Sequence, residues 1–180
     1  MDDKDTKKVW LIDPVHSKIR FETKYLLITS VSGWFTKFEG TVTTLFEDFR
    51  DSEVCLTIYT NSLFSGNEER DNHLRSADFF DVKKFPTITF NSTLISVEDS
   101  LVDIIGELCI KGITETLNFK AKYLGCVQDP IGNWKAGFEM NTTLNRKDFN
   151  ITWNKFFDNA GVLLSDEVQV FVDIQLLKVS

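Results

Sequence analysis

The chain has 180 residues, enough for one domain with a sizeable core and short for two. Its net charge is −7, and its basic residues are scattered singly or in pairs such as Lys7-Lys8 and Lys83-Lys84, so nucleic acid and anionic membrane surfaces are repelled on average. Sixteen Phe in a chain of otherwise ordinary composition point to a large packed core or to an apolar cavity, and composition does not separate the two.

The first eight residues, Met1 to Lys8, are charged and contain no apolar h-region, so they read as a flexible tail rather than a signal peptide. The chain is therefore expected to be cytoplasmic. From there, alternation of apolar and polar residues recurs to the end. Ile19, Phe21, Thr23 and Tyr25 share one face. Gly33 and Phe35 have one parity and Phe38, Gly40 and Val42 the other, which predicts a β-bulge near Thr36-Lys37. Val54, Leu56 and Ile58 form the next set. Ser65-Gly66-Asn67 is a turn, and Asn67 to Arg75 is charged, short and opened by an Asn cap candidate, so it reads as a helix of about two turns.

Four further sets follow: Ile88, Phe90, Ser92, Leu94; Val102, Ile104, Gly106, Leu108, Ile110; Leu117, Phe119, Ala121, Tyr123; and Ala136, Phe138, Met140, Thr142, Leu144. Lys111-Gly112 is a tight hairpin candidate, and Asp129 to Asn133 and Asn159-Ala160-Gly161 are turns. Val168, Val170, Val172, Ile174 and Leu176 close the series. Period 2 buries one face and wets the other, which favours antiparallel pairing. Helices do not alternate with the strands, a pattern that argues against a parallel α/β fold. The expectation is one all-β domain over residues 1–180, an antiparallel eight-stranded barrel with one short helix. A barrel of that size is wide enough for one small ligand.

The inward sets name the candidate lining. Phe21, Phe35, Phe38, Phe90, Phe119, Phe138 and Met140 carry most of its bulk. Ile19, Tyr25, Val42, Ile58, Leu108 and Val170 complete it, with Leu74 on the helix. The same residues fill a solid core equally well, and close packing is the commoner outcome. Arg70, Asp71, His73, Arg75 and Asp78 form a polar cluster in which i,i+3 and i,i+4 pairs support one another. Arg70, His73 and Asp78 are candidates to receive a polar head group at the barrel rim; the other reading is an ion network that pins the helix. His16 and His73, far apart in sequence, name no metal site, and no catalytic or cofactor motif is present. Cys55, Cys109 and Cys126, odd in number and widely spaced, read as free thiols. Trp34 has outward parity and is a candidate for a dimer contact.

Several pieces together resemble the YceI-like family. They are Trp10-x-x-Asp13-x-x-His16-Ser17-x-Ile19-x-Phe21; Val31-Ser32-Gly33-x-Phe35-x-x-Phe38-x-Gly40; and Asn67-Glu68-Glu69-Arg70-Asp71-x-His73-Leu74-Arg75-Ser76-x-Asp78-Phe79-Phe80-Asp81, with Phe85-Pro86 and Phe90-x-Ser92 after it. Gly106-x-Leu108-x-Ile110-x-Gly112-x-Thr114, Asn145-Arg146-x-Asp148-Phe149 and Asp166-Glu167-Val168 follow in order. The chain has Tyr25 where many relatives carry His, and Asn150 where many carry Gly. The resemblance implies a lipocalin-like barrel, commonly dimeric, that holds a polyisoprenoid, an isoprenoid quinone or a similar long-chain amphiphile and does no chemistry on it. It needs no metal or organic cofactor, has no nucleic-acid partner and no integral membrane segment. Two rivals stand beside this reading: an enzyme acting on an apolar substrate at the Arg70–Asp78 segment, and a surface-interaction protein with a filled core.

Overall fold

A computed structural model describes residues 6–157 and 161–180. Asn159 and Ala160 of the last expected turn, and the first five residues of the expected tail, lie outside the described residues. Lys8, placed in the tail by the sequence, already pairs with Thr44.

The strands are β1 (Lys8–Ile12), β2 (Lys18–Tyr25), β3 (Thr29–Phe35), β4 (Phe38–Thr44), β5 (Glu53–Tyr59), β6 (Leu63–Phe64), β7 (Thr87–Glu98), β8 (Leu101–Ile110), β9 (Ile113–Gln128), β10 (Trp134–Asn145), the short pair β11 (Phe156–Phe157) and β12 (Gly161–Val162), and β13 (Leu164–Lys178). One helix, α1 (Glu68–Arg75), follows β6. Read as an architecture, β1 with β2, β3 with β4, and β5 with β6 are three long staves, each broken once, and β7, β8, β9, β10 and β13 are five more. Every neighbouring pair is antiparallel, in chain order, and β13 returns to pair with both β2 and β1. The result is a closed, eight-stranded, up-and-down barrel, which leaves almost no open sheet edge.

The three breaks line up across the sheet, and side chains replace the lost ladder bonds there. Pro14 has no N–H to offer, and the chain turns at Asp13 with His16 N donating to Asp13 O at 3.3 Å. The Ser17 hydroxyl then accepts from Gln175 N at 2.9 Å. On the next stave a bulge is expected at Thr36-Lys37; the chain instead breaks there for two residues between β3 and β4, and the Ser62 hydroxyl accepts from Lys37 N at 3.0 Å. The Asp13 carboxylate ties the seam, accepting from His16 Nδ1 at 2.9 Å, Gln175 Nε2 at 3.0 Å and Lys135 Nζ at 3.1 Å. Burial pulls the Asp13 carboxyl upward, but the hydrogen bonds from His16 and Lys135 outweigh it and hold the group well below the usual carboxylate range.

Two bulges interrupt the ladders, and the first changes an expected inward set. Register slips between Ser92 and Leu94, so Leu94, read as inward, is 54% exposed and Ile95 takes its place at 3%. The slip on β10 between Gly137 and Phe138 leaves Leu124 of β9 as the extra residue, 56% exposed. The helix is capped as expected: the Asn67 side chain accepts from Arg70 N at 2.9 Å. Lys111 and Gly112, both with positive φ, make the β8–β9 turn.

Candidate functional site

The barrel is hollow. A cavity of about 840 Å³ runs along its axis and is lined almost wholly by inward-facing apolar side chains. Leu56, Ile104, Met140, Val170, Val172 and Ile174 all point inward, yet each is only half-buried because the lumen reaches it. In a filled core such residues would lose their accessible surface to one another.

A barrel so rich in Phe stays open because two rings lie down. Phe21 pairs with Gly33 across β2 and β3, and a Cβ on Gly33 would come within 2.5 Å of Phe21 Cζ. Phe90 lies over Gly106 in the same way, its Cζ 2.4 Å from where a Cβ would be. The missing side chain lets each ring fold flat against the neighbouring strand instead of standing into the lumen.

One end of the barrel is plugged. Phe49, in the β4–β5 loop, is 3% exposed and turns into the barrel end, where its ring meets Trp10 at 5.2 Å, Phe138 at 5.1 Å and Tyr123 at 5.7 Å between centroids. Phe49 has a φ of 63°, a left-handed conformation that costs a non-glycine residue roughly 1–2 kcal/mol, offset here by burying a large ring among three others.

The opposite end carries the polar groups. Among the residues lining the cavity, Tyr25, Asn67 and Glu69 are exposed, and all three lie where the β2–β3 hairpin faces the start of α1; the cavity reaches solvent there. Phe79, Phe80, Phe149, Ile151 and Trp153 cover the rest of that end. Arg70 sits at the opening with its guanidinium bonded back to Ser65, Nε to Oγ and Nη2 to the carbonyl, both at 2.8 Å. The buried Asp71 carboxylate accepts from Ser65 N at 2.9 Å and from its hydroxyl. Arg75 donates to the carbonyls of Asn61 and Leu63. The polar cluster therefore does anchor the helix to the β6 end, while Arg70 and His73 also line the cavity.

The structure places the expected lining residues as follows. Ile19, Phe21, Tyr25, Phe35, Val42, Ile58, Leu74, Phe90, Leu108, Phe119, Phe138, Met140 and Val170 all line the cavity. Phe38 does not: it follows the break between β3 and β4, is 6% exposed, and packs into the wall facing a small outer cleft with Pro14 and Phe64. Asp78 does not either: its carboxylate lies on the surface and accepts from His73 Nε2 at 2.9 Å. His73 in turn meets Trp153 edge to face at 4.6 Å and Phe79 at 5.0 Å. The outward Trp34 is half-buried, its ring 6.5 Å from that of Phe64.

Arg146 belongs to the Asn145-Arg146-x-Asp148-Phe149 motif, and the sequence alone assigns it no role. Its side chain is 5% exposed and holds the cavity end together. It donates to the carbonyls of Ile151 at 2.8 Å, Trp153 at 2.7 Å and Ser165 at 3.0 Å, and to the Asp166 carboxylate at 3.1 Å. Burial pulls its pKa down, and Asp166 opposes the shift. Arg next to Asn in a loop motif signals such a tie only once the loop's carbonyls are seen to converge on it.

Among the described residues no group of three or more His, Cys, Asp or Glu side chains is arranged to hold a metal ion, and no helix is long and apolar enough to cross a membrane.

Comparison with known proteins agrees with this geometry. Residues 10–176 match the YceI-like domain. Protein YceI of Salmonella newport is 40% identical over 137 residues, 76% of this chain and 72% of that protein. A UPF0312 protein of Pseudomonas paraeruginosa is 42% identical over 136 residues, 76% of this chain and 71% of that one. Among solved structures, the Campylobacter jejuni YCEI protein superposes with a TM-score of 0.72 at 25% identity, covering 87% of this chain and 90% of that one. Burkholderia cenocepacia BcnA has a TM-score of 0.77 at 24% identity over 91% and 98% of the two chains. A polyisoprenoid binding domain from Saccharophagus degradans has a TM-score of 0.70 at 16% identity over 93% and 97%. With the barrel, its short capped helix and the matched span in agreement, the chain belongs to the YceI-like family.

Proposed function

We propose that this protein binds one long-chain apolar molecule, a polyisoprenoid, an isoprenoid quinone or a similar amphiphile, inside its barrel and sequesters or carries it without chemical change. The observation that supports this most is the 840 Å³ apolar lumen, plugged by Phe49 at one end and opening at the Tyr25 and α1 end. That volume lies within the ~300–1,000 Å³ usual for small-molecule sites. At about 30 Å³ per water-sized group it takes roughly 28 non-hydrogen atoms, or about five isoprene units. The chain would lie in the lumen and its polar head at the opening, within reach of Tyr25, Arg70 and His73. The structural likeness to a polyisoprenoid binding domain points the same way.

The test is a titration of delipidated protein with polyprenyl alcohols of increasing length and with an isoprenoid quinone, read by tryptophan fluorescence and native mass spectrometry. One ligand per chain and an optimum near five units are expected. Absence of saturable binding at every length overturns the reading. His73→Ala is expected to leave a bound alcohol chemically unchanged, as wild type does; a product formed by wild type and abolished by H73A would convert the protein into an enzyme.

A further inference from the structure

The β2–β3 hairpin ends in three consecutive aliphatic residues that stand exposed among the described residues. Leu26 is 37% exposed, Leu27 63% and Ile28 79%. A tight hairpin turn of this kind is ordinarily Asn-Gly, because both central residues need positive φ. Here Leu26 and Leu27 occupy those positions at φ 51° and 61°, with Ile28 N donating to Tyr25 O at 3.2 Å. Leucine is a poor choice there on conformational grounds and a poor choice on solubility grounds. Both disadvantages fall at one spot, on the rim of the cavity: Tyr25, the residue before the turn, lines the opening, as do Thr23, Val31 and Ser32 on the same hairpin. Leu26 N also donates to Leu163 O at 2.8 Å, which fixes the tip beside the opening.

We infer that the Leu26-Leu27-Ile28 tip inserts into the interfacial layer of a lipid bilayer, so that the cavity opening meets the membrane from which a water-insoluble ligand enters or to which it leaves. This rests on the lipid-binding reading above. Two features favour a bilayer over a second copy of the chain. Three aliphatic side chains offer on the order of 300 Å², well short of the ~800 Å² per partner of a stable protein interface. The tip is also continuous with the opening of an apolar cavity, where a lipid must pass without crossing water. The net charge of −7 makes the contact one of apolar insertion rather than charge attraction, so uncharged-surface bilayers suffice and salt has little effect.

The experiment is flotation of the delipidated full chain with phosphatidylcholine vesicles, comparing wild type with Leu27→Ser/Ile28→Ser and with Leu26→Asn/Leu27→Gly. The second variant places turn-compatible residues in the turn, so it is expected to fold at least as well as wild type. Each lost aliphatic contact is worth roughly tenfold in partitioning, so both variants should bind vesicles at least tenfold more weakly, with no change between low and high salt. Uptake of a polyprenyl alcohol added from ethanol, without vesicles, should match wild type. Wild type that does not float, or variants that float equally well, overturn the inference. So does a wild-type dimer that the variants convert to monomer while vesicle binding is absent, which would make the tip a protein contact. Flotation of wild type without isoprenoid uptake in either format upholds the bilayer contact and removes the cavity reading instead.

Discussion

Val170→Trp tests whether the lumen is the binding site and how its volume is used. Val170 lies midway along β13, opposite Phe21 on one side and Thr142 on the other, and its side chain lines the cavity while only half-buried. The wild-type lumen of about 840 Å³ takes roughly 28 ligand atoms; at about 0.3 kcal/mol per atom this gives about 8 kcal/mol, or micromolar affinity. Tryptophan adds about seven non-hydrogen atoms to the valine and occupies the space of as many ligand atoms. That removes about 2 kcal/mol, a loss of about thirtyfold for the best wild-type ligand. The preferred chain should also shorten by about one isoprene unit. Tryptophan is at home in a strand and the ring enters open space, so the thermal midpoint should change little. Fluorescence titration against polyprenyl alcohols of graded length, with circular dichroism as the folding control, measures both effects. An affinity and length optimum equal to wild type, in a folded variant, refutes the assignment of the lumen as the site.

Arg146→Met leaves the carbonyls of Ile151, Trp153 and Ser165 without their donor and should destabilise the protein by about 3–5 kcal/mol, or on the order of 10 °C in thermal midpoint by calorimetry. Asp13→Asn should cost about 1–3 kcal/mol near neutral pH, because Lys135, His16 and Gln175 lose a carboxylate acceptor. The folded carboxyl titrates below its ordinary value of 3.8, so its contribution is present above that pH and fades as pH falls through the folded value; urea melts of wild type and D13N should therefore converge below pH 3.8. Gly33→Ala pushes the Phe21 ring off the strand and into the lumen, which should cost about 1–3 kcal/mol in urea unfolding and shift the ligand optimum to shorter chains in the same titration.

Alternation along the chain was enough to read most of the staves, their antiparallel pairing and the strand-borne part of the lining, since a half-buried strand writes its inner face into every second residue; the loop-borne lining, such as Phe79, Phe80, Phe149, Ile151 and Trp153, has no such period. The irregularity at Thr36-Lys37 was legible because Phe35 and Phe38 sit in strong apolar sets of opposite parity, although it is a two-residue break rather than a bulge. The slip at Thr93 was not, because Ser92 and Leu94 continue the apparent pattern, and only pairing with β8 shows Leu94 turned outward. Whether the barrel is solid or hollow was also illegible. It depends on which glycine faces which ring across two strands, Gly33 with Phe21 and Gly106 with Phe90, and a linear pattern does not contain cross-strand register. Phe49 escaped notice because a plug carried by a loop has no period. Phe38 and Asp78 were misplaced for a related reason: each has the right neighbours in sequence but stands just past a break or a turn that aims it away from the lumen.

The closing seam has a consequence for how the molecule is made. Trp10 meets Lys178, and β2 is held along Leu164 to Asp173, so the first strands wait for nearly the whole chain before their second partner exists. Contacts so distant in sequence form slowly, because the long loop must be ordered before any pairing rewards it. During synthesis the final stave is still leaving the ribosome while the other seven have been made, and until it docks the apolar inner faces stand open along one side. Folding intermediates of this barrel should therefore be sticky and chaperone-bound. Loss of the residues from Leu176 onward should open one end of this seam, because it frees β1 from β13 and removes Leu176 from the core while β2 stays paired.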